Sequence, residues 1–177
     1  MEAPLLQTKL YIPTVRGELV SRPRLNERLS AGVHRKLTLV SAPAGFGKTT
    51  CIGEWVQTLG WPVAWLSLDP ADDDPGRFFV YLVAALQQVD TSLGQEIEGV
   101  LHSGQLPPGE VISTTLVNDI LGLNGRFLLV LDDFQVIQDR GLEQEIVDLL
   151  RLPAQDFFGE VAQDEPVAAT QGGDETG

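Results

Sequence analysis

Short apolar runs alternate along the chain with longer segments whose apolar residues recur every three or four positions, a pattern that predicts strands separated by helices. The opening, Leu5 to Ile12, is apolar and reads as extended until Pro13 ends it. Pro23 suits a first helical position, Leu25, Arg28 and Leu29 continue the turn, and Gly32 stops it. Leu37-Thr38-Leu39-Val40 is a short buried strand between basic residues and a Gly-rich turn. Thr49 to Leu59 is helical, with Ile52, Trp55, Val56 and Leu59 on one face, and Pro62 to Leu68 is a second strand. Asp72-Asp73-Asp74-Pro75 places capping carboxylates ahead of an amphipathic helix from Gly76 to Gln88. Weaker helices, Leu93–Leu101 and Val111–Leu123, are split by Pro107-Pro108-Gly109. Phe127 to Leu131 is the third and strongest strand, and a last helix runs from about Leu142 to Leu150. After Pro153 the chain loses every Lys and Arg, and 154–177 reads as an acidic, disordered tail. Strands alternating with helices predict an α/β fold with a parallel sheet.

Composition narrows the class. A chain of 177 residues, 43% hydrophobic and 21% charged, supports one globular domain. No apolar run approaches the roughly 18–20 residues that cross a bilayer, and the N-terminus lacks a basic start followed by an apolar stretch. The one cysteine, Cys51, cannot form an internal disulfide and fits a reducing compartment, so cytoplasm is expected and a membrane partner is not. The net charge of −13 is uneven: residues 1–50 hold eight Lys/Arg against three acids, and 51–153 hold four against sixteen. Nucleic-acid contacts need clustered Lys/Arg, so DNA binding by this chain alone is not expected.

The candidate chemistry begins after the first strand. Ala42-Pro43-Ala44-Gly45-Phe46-Gly47-Lys48-Thr49 leads from a strand into a helix, the setting a Walker A phosphate loop requires. Small residues let backbone N–H groups close on a β-phosphate, and the helix N-terminus adds its dipole. Ala44, Gly45, Phe46, Gly47, Lys48, Thr49 and Thr50 form the expected phosphate cradle. Lys48 reaches the β- and γ-phosphates, while the Thr49 hydroxyl is a ligand for Mg²⁺. Ala42 stands where the strict pattern has Gly, which works only if that position does not need positive φ. The third strand ends in Asp132-Asp133, a Walker B pattern in which Asp132 is the metal carboxylate and Asp133 the catalytic group that polarises water. Strands also end in Asp because turns favour it, so the pair gains its meaning from the phosphate loop. ATP or ADP with Mg²⁺ is the expected cofactor.

Other candidates reduce to structure. Helix capping accounts for Asp74 and Asp73 better than a metal site built with Asp69 and Asp72. His34 and His102 have no partners at ligand spacing, Cys51 suits packing, and Trp55, Trp61 and Trp65 suit a core.

The segments Leu6-Gln7-Thr8-Lys9-Leu10, Leu19-Val20-Ser21-Arg22-Pro23-Arg24-Leu25 and Lys36 through Thr50 closely resemble MalT-type, LuxR-class transcriptional regulators. So do Val63 through Asp69, Asp74-Pro75 and Arg77-Phe78, and the likeness covers about residues 5–153. It implies a STAND-type P-loop ATPase domain with an ADP-bound resting state and an ATP-bound state able to oligomerise. It also implies a base-contacting role for Val20 and Arg22, which match the family's Val-x-Arg segment. A family member continues into a fourth strand bearing a sensor Arg and lying between the first and third, then into further domains. None of these is recognisable here: Val167-Ala168-Ala169-Thr170-Gln171 lies where the fourth strand would fall, with Gln171 in place of the Arg, but Pro166 and the surrounding acids make it a poor strand.

The resulting expectation is a P-loop NTPase-like parallel sheet with flanking helices, incomplete at its C-terminal side. Its parts are an N-terminal segment and helix (1–35), a partial core (36–153) and the acidic tail (154–177). Its function is ATP/ADP binding within a transcriptional regulator, with nucleotide-controlled assembly and at most weak ATPase activity. The alternatives are a non-catalytic module that self-associates or pairs with full-length relatives, and a truncated gene product without its own role.

Overall fold

The computed structural model describes residues 5–14, 22–32, 37–43, 45–103, 106–151 and 157–163. Val20, His34, Ala44 and the segment 167–171 lie outside the described residues. Among the described residues six α-helices and four strands follow in the order α1 (Pro23–Gly32), β1 (Leu37–Ser41), α2 (Lys48–Leu59), β2 (Val63–Ser67), α3 (Pro75–Leu86), α4 (Gln95–His102), α5 (Gly109–Gly122), β3 (Phe127–Asp132), α6 (Arg140–Arg151) and β4 (Phe157–Gln163). Among the described residues no helix is long and apolar enough to cross a membrane.

All strands are parallel, in the spatial order β1-β4-β3-β2. Parallel crossovers are right-handed, which fixes the side each connection takes. The step from β1 to β2 runs one way along the sheet and puts α2 on one face. The steps from β2 to β3 and from β3 to β4 run back the other way, and put α3 to α6 on the opposite face. Two cores result. Leu128 and Val130 of β3 pack with Trp65, Ile52, Trp55 and Leu29 on the α1/α2 side. Phe127, Leu129 and Leu131 pack with α3 to α6 on the other. All six residues of β3 are buried, as expected of an apolar run sandwiched between helix layers. The Trp55 indole N–H donates to Ser30 Oγ at 3.0 Å and ties α2 to α1.

Two expectations need correction. Leu5 to Ile12 is not extended, because Gln7–Leu10 forms a 3₁₀ turn. The turn brings the Lys9 ammonium, 5% exposed, to the carboxylates of Asp69 at 3.0 Å and of Asp72, which is fully buried. Arg77 Nε meets Asp72 from the other side at 2.9 Å, and both cations lie over the Tyr81 ring. Burying the two carboxylates requires these partners, and that demand overrides the local apolar pattern.

The second correction concerns 154–177, read as a tail beyond an incomplete sheet. Phe157–Gln163 is a fourth strand between β1 and β3, in register with both. Its backbone is satisfied by parallel neighbours on two sides, an environment that outweighs a sequence mixing Gly and Glu with apolar residues.

Candidate functional site

Ligands of open α/β sheets bind at the carboxyl ends of the strands, where connections leave toward opposite faces. Here β1 and β3 do so, and their ends carry the two candidate motifs. The segment after β1 turns tightly: Phe46 N–H donates to Pro43 O at 3.3 Å, and Gly45 and Gly47 take φ of +82° and +75°. L-residues rarely adopt that region, so these two glycines are demanded by the backbone. Among the described residues Asp133 is the one non-glycine with positive φ, so Ala42 sits in ordinary backbone and substitutes there without strain.

Gly47 delivers the chain into α2, and its carbonyl accepts from Cys51 N–H at 2.9 Å. Lys48 is buried, and its ammonium folds back to donate to Ala42 O at 2.9 Å and more weakly to Pro43 O at 3.5 Å. Thr49 lies beside it on the first turn. Its hydroxyl donates to the Asp132 carboxylate at 2.8 and 3.0 Å from the two oxygens, joining residues 83 positions apart. The two motifs therefore meet.

Asp132 is 2% exposed. Burial holds its carboxyl above the ordinary range and the neighbouring Asp133 adds to this, while the Thr49 hydroxyl pulls the other way. Asp133 takes φ +60°, which Asp tolerates better than most residues, and its carboxylate accepts from Gln135 Nε2 at 3.1 Å. Leu68 N–H donates to Asp132 O at 3.0 Å, so the loop after β2 braces the same strand end. Thr50 follows Thr49 on α2 and is half-buried.

Arg22 stands before α1 and reaches the loop tip, its guanidinium donating to Phe46 O at 3.1 Å. A cavity of about 310 Å³ opens between α1, β1 and the loop, bordered by Arg22, Phe46, Gly47 and Lys48. Arg28 borders it too, a residue the sequence reading placed only in a helical turn. Its chemistry was invisible because nothing in sequence tells which exposed helical arginine faces a cavity.

A threonine hydroxyl and a buried carboxylate are hard oxygen donors and fit Mg²⁺. Among the described residues no cluster of three His, Cys, Asp or Glu forms a metal cage. Two protein oxygens suit an ion completed by phosphate and water. The acidic group Asp69 to Asp74 serves structure instead. Asp69 and Asp72 pair with Lys9 and Arg77, and Asp74 caps α3 through Arg77 N–H. Asp73 accepts from the N–H groups of Gln138 and Asp139, ahead of α6. Cys51, Trp55 and Trp65 are buried in the core as expected, and Trp61 packs against it half-buried.

No protein-family profile matches the chain. The serine/threonine-protein kinase PknK of Mycobacterium tuberculosis (strain ATCC 25618 / H37Rv) is 33% identical over 139 residues, which are 77% of this chain and 12% of the kinase. The HTH-type transcriptional regulator MalT of Yersinia enterocolitica is 32% identical over 147 residues, 83% of this chain and 16% of the regulator. MalT of Yersinia pestis is 31% identical over the same length. The chain thus spans under a fifth of the relatives it matches. Among solved structures, a chain of Drosophila ORC bound to DNA superposes with a TM-score of 0.55 at 15% identity, covering 90% of this chain and 42% of that one. At that identity the likeness concerns the fold alone.

Proposed function

We propose, for a chain homologous to MalT-type regulators over about four-fifths of its length, that it is a nucleotide-binding segment taking ATP or ADP with Mg²⁺ at the loop after β1. The hydrogen bond between Thr49 and Asp132 carries this reading, because it unites a phosphate loop and a metal carboxylate from distant parts of the sequence. Backbone N–H groups at Gly45 to Thr49 and the N-terminus of α2 bind the phosphates, with Ala44 completing the loop. Lys48 exchanges its carbonyl partners for phosphate oxygens, and Thr49 with Asp132 holds Mg²⁺. Arg22, with Val20, contacts the base end of the nucleotide.

Turnover is weak in this reading. Asp133 orients the attacking water, but β4 contains no arginine to neutralise charge on the transferred phosphoryl group. A secondary reading is nucleotide-controlled association with a second copy or a full-length relative. It is favoured by β1, a sheet edge on which Leu37 and Leu39 are 38% and 57% exposed. Sedimentation with and without ATP separates a monomer from an assembly.

The decisive experiment is calorimetric titration with ATP and ADP, with and without Mg²⁺, alongside Lys48→Ala. Losing a charge-assisted phosphate contact costs at least ~2 kcal/mol, about thirtyfold in affinity. Equal binding by the variant, or none by folded wild type, rules the reading out.

A further inference from the structure

The chain carries 25 acidic residues against 12 Lys and Arg. Yet among the described residues the cavity between α1, β1 and the phosphate loop is bordered by Arg22, Arg28 and Lys48 and by no carboxylate. Arg22 and Lys48 are each held by a loop carbonyl, Phe46 O and Ala42 O. Arg28 is not. Helix α1 runs back from the loop tip toward the start of β1, where Gly32 lies against Thr38. Arg28 lies on α1, six residues after Arg22, and lines the same cavity. The rest of the lining is mostly apolar, with Leu25 and Leu29 of α1, Leu39 and Val40 of β1 and Cys51 of α2, and with Thr38 and Ser41 as its polar members. The cavity thus joins the loop after β1 to a largely apolar wall that also carries the Arg28 guanidinium. That is the shape of a ligand with an anionic end and a flat aromatic end.

We infer that Arg28 is a ligand-contacting residue whose guanidinium plane stacks on the base of the bound nucleotide, an inference that rests on the nucleotide-binding reading above. A guanidinium is planar, weakly hydrated and stacks on aromatic faces, whereas a lysine supplies the charge without the plane. Arg28 is exposed on a helix surface, and alanine is a strong helix former, so substitution leaves the fold intact.

The test measures the affinity of the full chain for Mg–ATP and for inorganic tripolyphosphate in wild type, Arg28→Ala, Arg28→Lys and Lys48→Ala. Both Arg28 variants should weaken ATP about tenfold and leave tripolyphosphate unchanged, while Lys48→Ala weakens both. Wild-type ATP affinity in Arg28→Ala overturns the inference. So does an equal loss for tripolyphosphate, which would make Arg28 a phosphate contact, or full affinity in Arg28→Lys, which would make it a charge alone. Failure of wild type to bind ATP at all, or undiminished binding by Lys48→Ala, removes the nucleotide reading and this inference together, whereas the Arg28 outcomes bear on this inference alone.

Discussion

At the scale of single residues, Asp132 sets function against stability. Its carboxylate is buried and its charge is disfavoured by burial, with a second carboxylate next to it. The Thr49 hydroxyl is a modest compensation. Asp132→Asn keeps the shape and an acceptor for Thr49 but removes the desolvated charge. The variant should melt at a higher temperature than wild type and lose at least about tenfold in Mg²⁺-dependent affinity, a loss of one charged metal contact. Unchanged metal dependence would show that Asp132 is no metal ligand, and a lower melting temperature that the Thr49 hydrogen bond outweighs the cost of the buried charge. Thr49→Val should likewise reduce the metal-dependent part of binding and spare the metal-free part. These residues were legible because Lys48, Thr49 and the glycines at 45 and 47 form a pattern fixed by backbone geometry, and Asp132 closes an unbroken apolar strand. Arg28 was not legible, since its significance depends on which way α1 faces.

At the scale of elements, the N-terminal 3₁₀ turn is held by charge as well as by its apolar residues. Lys9 and Asp72 are both buried, and removing one partner of such a pair costs about 3–5 kcal/mol. Arg77 still bonds Asp72, so Lys9→Met should destabilise by about 3 kcal/mol, read by urea unfolding. A change under about 0.5 kcal/mol would mean that the pair is incidental. The Lys9 hydrogen bond also holds the Asp69 carboxyl below its ordinary value. A lowered folded-state pKa contributes stability that is complete above the unfolded value, about 3.9, and is lost as pH falls through the folded value. The stability gap between wild type and Lys9→Met should therefore narrow below about pH 4. The helices and the three apolar strands were readable from periodicity. The turn was not, because its cause is a group of carboxylates about sixty residues away, which local sequence cannot register.

At the scale of the whole molecule, β4 decides whether the site exists. In the order β1-β4-β3-β2, β1 joins the sheet only through β4, and β1 carries the phosphate loop while β3 carries Asp132. The register runs Leu39 to Val161 to Leu131, so β4 sets the spacing across which Thr49 meets Asp132. Local pattern hid this strand: seven residues holding Gly and Glu, among acids, do not announce themselves, and pairing on two sides supplies what propensity lacks. A chain ending at Arg151 leaves facing rows of backbone N–H and C=O groups unpaired on β1 and β3. It should unfold at lower denaturant than the full chain, expose edges prone to association, and bind ATP at least about thirtyfold more weakly, as Lys48→Ala does. A chain ending at Gln163 keeps every described strand and should match the 177-residue chain in both measurements. If the Arg151 truncation bound nucleotide normally, the loop and Asp132 would be held by helix packing alone, and the sheet would not be what builds the site.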